Sequence, residues 1–142
     1  MDYIKLAEEF FQKSYQMKKN NHQQMLDESL QGEIFTLLYL KVKNDYALPK
    51  EISEEMNISS ARVASILNSL EEKALIKREI DKSDRRRILV TLTDLGKERA
   101  LLHEEKVIGL IAKMLELLGE DDAKELLRIT SRIVDLSKEG ME

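Results

Sequence analysis

The chain has 142 residues and a formal net charge of −4, a length that one compact domain fills and that buries roughly 70% of its unfolded surface. It contains no cysteine, which excludes disulfides, thiolate metal sites and thiol redox switching. No run of about 18 uncharged apolar residues occurs, so no membrane span is expected. Met1-Asp2-Tyr3-Ile4-Lys5 reads as a helix start rather than a signal peptide, and the expected location is the cytoplasm.

Residues 2–24 are polar but helical in period. Ile4, Ala7, Phe11 and Tyr15 fall on one face, with Tyr3, Leu6, Phe10 and Met17 beside it. This stripe is broader than a lone surface helix needs. Residues 29–44 predict a second helix, with Ser29 as its cap and Asn44-Asp45 closing it. Ile34, Leu37, Leu38, Tyr39, Leu40 and Val42 make it apolar nearly all round, so it is expected to be buried.

Residues 49–73 carry a helix-turn-helix pattern. Pro49 suits a first helical turn, Asn57 suits a left-handed turn residue, and Ser59 suits an N-cap. Small Ser53 lets a second helix approach. Val63, Ile66, Leu67 and Leu70 form the inner face of that second helix. Ser60, Arg62, Ser65 and Ser69 are read as its outer face, short hydrogen-bonding groups plus one cation, suited to a major groove.

From residue 75 the period changes to two. Ile76, Arg78 and Ile80 alternate, as do Ile88, Val90 and Leu92, which predicts a hairpin over 75–92. Its tip, Asp81 to Arg87, projects Arg85, Arg86 and Arg87, and an extended arginine loop can enter a minor groove. Asp84 stands two residues before Arg86 and is placed to hold it by a hydrogen-bonded ion pair. Residues 57–91 hold eight basic side chains (Arg62, Lys73, Lys77, Arg78, Lys82, Arg85, Arg86, Arg87) and five acidic ones (Glu71, Glu72, Glu79, Asp81, Asp84), a net +3 that leaves −7 for the remainder. A basic middle between acidic flanks suits one face presented to DNA.

A long helix is predicted over 93–118, capped by Thr93 with Asp94 in its first turn. Two neighbouring apolar stripes are filled, one by Leu101, Ile108, Ile111, Leu115 and Leu118, the other by Val107, Leu110, Met114 and Leu117. Gly119 breaks it, and Glu120-Asp121-Asp122 opens a last helix lined by Leu126, Ile129, Ile133 and Leu136. The surplus apolar surface of the terminal helices is most simply buried against a second copy, which would set two recognition helices about one DNA turn apart. The expected fold is therefore mainly α with a small β-hairpin wing. It forms a single domain over 1–142, with a winged helix-turn-helix over 30–92 and helical dimerisation parts over 1–28 and 93–142.

In this order of elements the chain resembles the MarR (multiple antibiotic resistance regulator) family, over nearly its whole length. The sharpest likeness is Asp84-Arg85-Arg86-Arg87-Ile88-Leu89-Val90-Thr91-Leu92-Thr93-Asp94-Leu95-Gly96, similar to that family's Asp-x-Arg wing followed by an alternating strand and Leu-Thr-x-x-Gly. Leu70-Glu71-Glu72-Lys73-Ala74-Leu75-Ile76-Lys77-Arg78 resembles its link from recognition helix to wing. The resemblance implies a homodimeric regulator of transcription on palindromic double-stranded DNA, often a repressor, released by a small aromatic acid, phenol, drug or oxidant. It places Ser59 to Ser69 in the major groove, with Lys77 and Arg85–Arg87 beside them, Arg86 in the minor groove and Asp84 as its support. Phe11 and Tyr15 are candidate walls of an effector pocket.

The chain departs from the family at Ala74, where glycine is usual, and at Leu48, where a capping Ser or Thr is usual. Serines 65 and 69 stand where basic residues are common. Without cysteine, thiol sensing is excluded; with His22 and His103 alone, a zinc pair at helical spacing is absent. No Ser-His-Asp set, glycine-rich phosphate loop or carboxylate pair can be assembled, so no enzyme and no cofactor is expected. The rival reading is a winged-helix module that binds protein and not DNA.

Overall fold

The computed structural model describes residues 1–21 and 28–140. The elements run α1 (Tyr3–Asn21), α2 (Glu28–Lys43), α3 (Pro49–Met56), α4 (Ser60–Glu72), β1 (Ile76–Ile80), β2 (Ile88–Leu92), α5 (Asp94–Leu118) and α6 (Glu120–Lys138). They fall into two compact units, Met1–Ala100 and Leu101–Glu142, which divide within α5. The turn signals in the sequence match the observed ends closely. Asp2 caps α1 by accepting the Ile4 and Lys5 amides at 3.1 and 3.2 Å. Asn44 and Asn57 both take the left-handed backbone, φ 54° and 53°, closing α2 and α3.

The core of the first unit joins Leu37 and Leu40 of α2, Ile52 of α3, and Val63, Ile66, Leu67 and Leu70 of α4 to Leu75, Ile76, Val90 and Ala100. Burying each large side chain is worth roughly 1.5–3 kcal/mol, and the 3.6-residue period of α4 puts its four large apolar residues on one side. Gly32 lets α2 close on α4, since a Cβ there would stand 2.8 Å from Ile66 Cδ1. The strands pair antiparallel, Ile76 with Leu92, Arg78 with Val90 and Ile80 with Ile88. Buried Ala47 exchanges two backbone hydrogen bonds with Val90, at 3.0 and 2.9 Å, and ties the loop before α3 to the wing.

Two expectations for α2 are corrected. The helix starts at Glu28, so Ser29 lies inside its first turn and is not its cap. Nor is the helix buried all round: Phe35 and Val42 are exposed, and Ile34, Leu38 and Tyr39 are half-buried. Within this unit α2 packs on α4 and the wing strand β2 and bonds to α3 through Tyr39, Lys43 and Thr36. His22 lies outside the described residues.

In the second unit Gly119, at φ 90°, separates α5 from α6. The acidic Glu120, Asp121 and Asp122 occupy the first turn of α6, where the helix dipole favours anions. No residue of α6 is buried, and Leu126, Ile129, Ile133 and Leu136 stand exposed along it.

One junction joins recognition helix, wing and α5. Ala74 takes a left-handed backbone, φ 62°, and the Leu75 amide turns back to the Leu70 carbonyl at 2.9 Å. The Thr93 amide donates to the Leu75 carbonyl at 3.1 Å. The Thr93 hydroxyl donates to the Ala74 carbonyl at 2.7 Å and accepts the Gly96 amide at 3.0 Å, capping α5. A Cβ on Gly96 would lie 1.9 Å from the Leu75 backbone oxygen and 3.2 Å from Leu92 Cδ2. Ala74→Gly is therefore expected to stabilise the chain by about 1 kcal/mol through relief of the left-handed alanine, and Gly96→Ala to destabilise it by about 3 kcal/mol. Urea denaturation of the two variants measures both.

Candidate nucleic-acid interface

Helix α4 is the centre of the site. Ser59 caps it, its side chain accepting the Arg62 amide at 3.2 Å. The buried stripe of Val63, Ile66, Leu67 and Leu70 fixes which side faces out. At about 100° per residue, Ala61, Ser65, Asn68 and Glu72 lie opposite, with Ala64 at the edge of that face, and all five are exposed. Ser60 and Arg62 are exposed on the two flanks. Ser69 is not an outward residue: it is half-buried, and its hydroxyl donates to a carboxylate oxygen of buried Glu33. Lys73 reaches the same carboxylate at 3.0 and 3.1 Å. Asn68 and the two alanines were missed because the outer face was chosen by side-chain chemistry. The angle from the buried stripe identifies them from sequence alone.

The wing is a closed turn. The Asp81 amide donates to the Arg87 carbonyl at 2.9 Å and the Arg87 amide to the Asp84 carbonyl at 3.0 Å. The Asp81 carboxylate accepts the Ser83 amide at 3.0 Å and its hydroxyl at 2.8 Å. Asp84 supports Arg86 as expected, accepting its backbone amide at 3.1 Å and its Nε at 3.3 Å. The Arg86 side chain is 92% exposed, and Arg85 and Lys77 are also exposed.

Arg87 does not project. Its guanidinium donates to the Tyr46 hydroxyl at 3.3 Å, lies 5.8 Å from the centre of that ring, and pairs with Asp81 at 3.3 Å. The Tyr46 hydrogen bond holds the Arg87 pKa above its ordinary value. Arg78 is turned back likewise, its guanidinium forked onto Glu71 at 3.1 and 3.0 Å. That fork holds the Glu71 carboxyl below the usual carboxylate range and locks β1 to the end of α4.

Phe11 and Tyr15 are exposed on α1, at 73% and 63%. A cavity of about 390 Å³ lies elsewhere in the same unit, between Leu40, Lys41 and Asn44 at the end of α2, Thr91 and Leu92 of β2, and Lys97. His103 is half-buried on α5. Among the described residues no three His, Cys, Asp or Glu side chains are grouped to hold a metal, and no helix is long and apolar enough to cross a membrane.

Comparison with known proteins agrees with this geometry. Residues 33–111 match a family model described as a winged helix DNA-binding domain. The chain is 30% identical over 101 residues to the HTH-type transcriptional regulator YdgJ of Bacillus subtilis, which covers 71% of this chain and 60% of YdgJ's own length. It is 30% identical over 110 residues to the HTH-type transcriptional repressor MdtR of the same organism, covering 75% of this chain and 68% of MdtR. Streptococcus pneumoniae FabT, solved in complex with DNA, shares the fold at a TM-score of 0.65 and 20% identity, over 97% of this chain and 99% of FabT. The chain belongs to the winged helix DNA-binding domain family, among the MarR-type regulators of transcription, and these are not enzymes.

The Asp81 carboxyl is held below its ordinary range, first by the Ser83 amide and hydroxyl and then by the Arg87 charge. A carboxyl depressed in the folded state stabilises the fold above its unfolded value of about 3.9, and that stabilisation is lost as pH falls through the folded one. NMR titration should therefore show the Ser83 amide resonance moving with a midpoint below about pH 3.9, and Asp81→Asn should abolish the movement. A midpoint at or above the ordinary value would mean that Asp81 does not close the turn.

Proposed function

We propose that this protein is a homodimeric repressor in the cytoplasm that binds palindromic duplex DNA, with α4 in the major groove and Arg86 in the adjacent minor groove. The observation that carries the reading is the wing tip: a guanidinium almost wholly in solvent, oriented by Asp84, on a hairpin locked to the end of α4. A cation placed beyond a groove-sized helix meets the negative potential of a narrow minor groove. Lys77 and Arg85 add phosphate contacts on the same side. The repressor assignment follows the name of MdtR, and the use of DNA follows FabT.

Residues 30–92 form the DNA-binding part in this reading, and 1–28 with 93–142 the dimerisation part. Its support is the apolar surface left exposed on α1 (Tyr3, Ile4, Phe10, Phe11, Tyr15), on α5 (Ile108, Ile111, Leu117) and on α6 (Leu127, Ile133, Leu136). Exposed apolar side chains gathered along helix faces in this way mark interfaces. The effector is a small aromatic acid or phenol, and the cavity beside Lys41 and Lys97 offers cationic groups for its anionic end. It releases DNA by favouring a dimer whose two recognition helices no longer match one helical turn.

Selection from a random duplex pool, with affinity followed against salt, tests the whole proposal. Enrichment of a palindrome with half-sites about ten base pairs apart and a steep salt dependence is the expected result. No enriched sequence would favour the protein-binding module instead. Arg86→Ala should weaken binding to all sequences and lower the salt slope by about one, with the dimer intact; an unchanged affinity and slope would remove the wing from the mechanism. Deleting residues 120–142 should leave monomers or aggregates in sedimentation, and a dimer of unchanged stability would contradict the assigned interface.

A further inference from the structure

The stripe of α4 opposite its buried face has a composition of its own. Ala61, Ala64, Ser65, Asn68 and, in the last turn, Glu72 are exposed and share about 100° of the helix surface. The one arginine nearby, Arg62, is displaced from Ala61 by about 100°, and Glu72 follows Asn68 one turn later. From Ala61 to Asn68 the helix rises about 10 Å, which spans about three base pairs at 3.4 Å each.

We infer that this stripe reads an A·T core of about three base pairs in each half-site, with Asn68 as the residue that specifies adenine. The inference rests on the DNA-binding reading above and names its sequence preference. Guanine presents two acceptors in the major groove, N7 and O6, and is read by the paired donors of arginine or lysine. No such side chain stands on the central stripe. Adenine presents an acceptor at N7 and a donor at N6, and a carboxamide supplies the matching donor and acceptor together. Asn68 is the one carboxamide on the stripe, and it is exposed. The methyl groups of Ala61 and Ala64 fit the C5-methyl of thymine, the apolar feature of an A·T pair in that groove. Ser65 accepts or donates and discriminates little. A short stripe of this kind also brings the helix backbone close to the groove floor, where Asn, with a shorter reach than Arg, makes its contact.

Duplexes recovered by the wild-type chain should carry A·T pairs through the core of each half-site. Replacing adenine N7 by carbon (7-deazaadenine), one position at a time, should weaken wild-type binding about tenfold or more at one adenine per half-site. Asn68→Ala should lose that sensitivity while keeping the salt slope and the affinity for unrelated DNA, because the amide carries no charge. Asn68→Arg should move the selected base at that position from adenine to guanine. An Asn68→Ala chain that selects the same core, or a wild-type core of G·C pairs, would overturn the inference and leave the regulator reading in place. A wild-type chain that selects no sequence at all would overturn both.

Discussion

The structure depends on one close approach, where the carbonyl oxygen of Leu75 lies against the backbone of Gly96. That oxygen ends the link from α4, accepts the Thr93 amide that follows β2, and sits where any side chain at 96 would have to be. Thr93 completes the junction, donating to Ala74 and capping α5 with the same hydroxyl. The direction in which α4 ends, the angle at which the wing leaves and the start of α5 are thus set by a few atoms. The left-handed alanine at 74 is the strain that this geometry costs, about 1 kcal/mol, and the hydrogen bonds of Leu75 and Thr93 offset it.

Positive charge in this region does two separate jobs. Lys73, Arg78 and Arg87 are spent inside the fold, on Glu33, on Glu71 and on Asp81 with Tyr46 respectively. Each holds one element to another: α4 to α2, β1 to α4, the wing tip to the loop before α3. Lys77, Lys82, Arg85 and Arg86 remain exposed. The net +3 of residues 57–91 therefore overstates how many cations are structural spares and understates how well the outward ones are aimed. The acidic remainder of the chain restricts attraction for a polyanion to this face.

The elements were legible in the sequence wherever a local signal fixes the backbone. Pro49, Asn57, Ser59, Thr93 and Gly119 act within one turn of themselves, and each stands where its chemistry predicted. The left-handed site at Ala74 was legible only through the family resemblance, because alanine carries no such preference. What local signals could not reach was the fate of side chains whose partners are distant in sequence. Ser69 turns to Glu33, 36 positions earlier, and Arg87 to Tyr46, 41 positions earlier. Both had been assigned outward by type. Val42 failed for the related reason that an apolar helix does not reveal how many of its sides will be covered.

The same long-range contacts constrain how such a regulator can be released. Helix α2 grips both helices of the helix-turn-helix at once. Glu33 holds Lys73 and Ser69 of α4, while Lys43 and Tyr39 hold Glu51 of α3, at 3.0 and 3.3 Å. The Lys43 hydrogen bond keeps the Glu51 carboxyl below the usual range. Buried Thr36 lies between, its hydroxyl 3.6 Å from the Met56 sulfur. Pulling α4 away from α2 would strand the buried Glu33 carboxylate, which costs several kcal/mol, more than the 1–3 kcal/mol typical of an allosteric coupling. Moving α2, α3, α4 and the wing as one body breaks none of these contacts. In the proposed dimer an effector of the proposed kind would therefore act by respacing intact reading heads, and the energy it would have to supply is the difference between two dimer geometries and not the cost of opening a core.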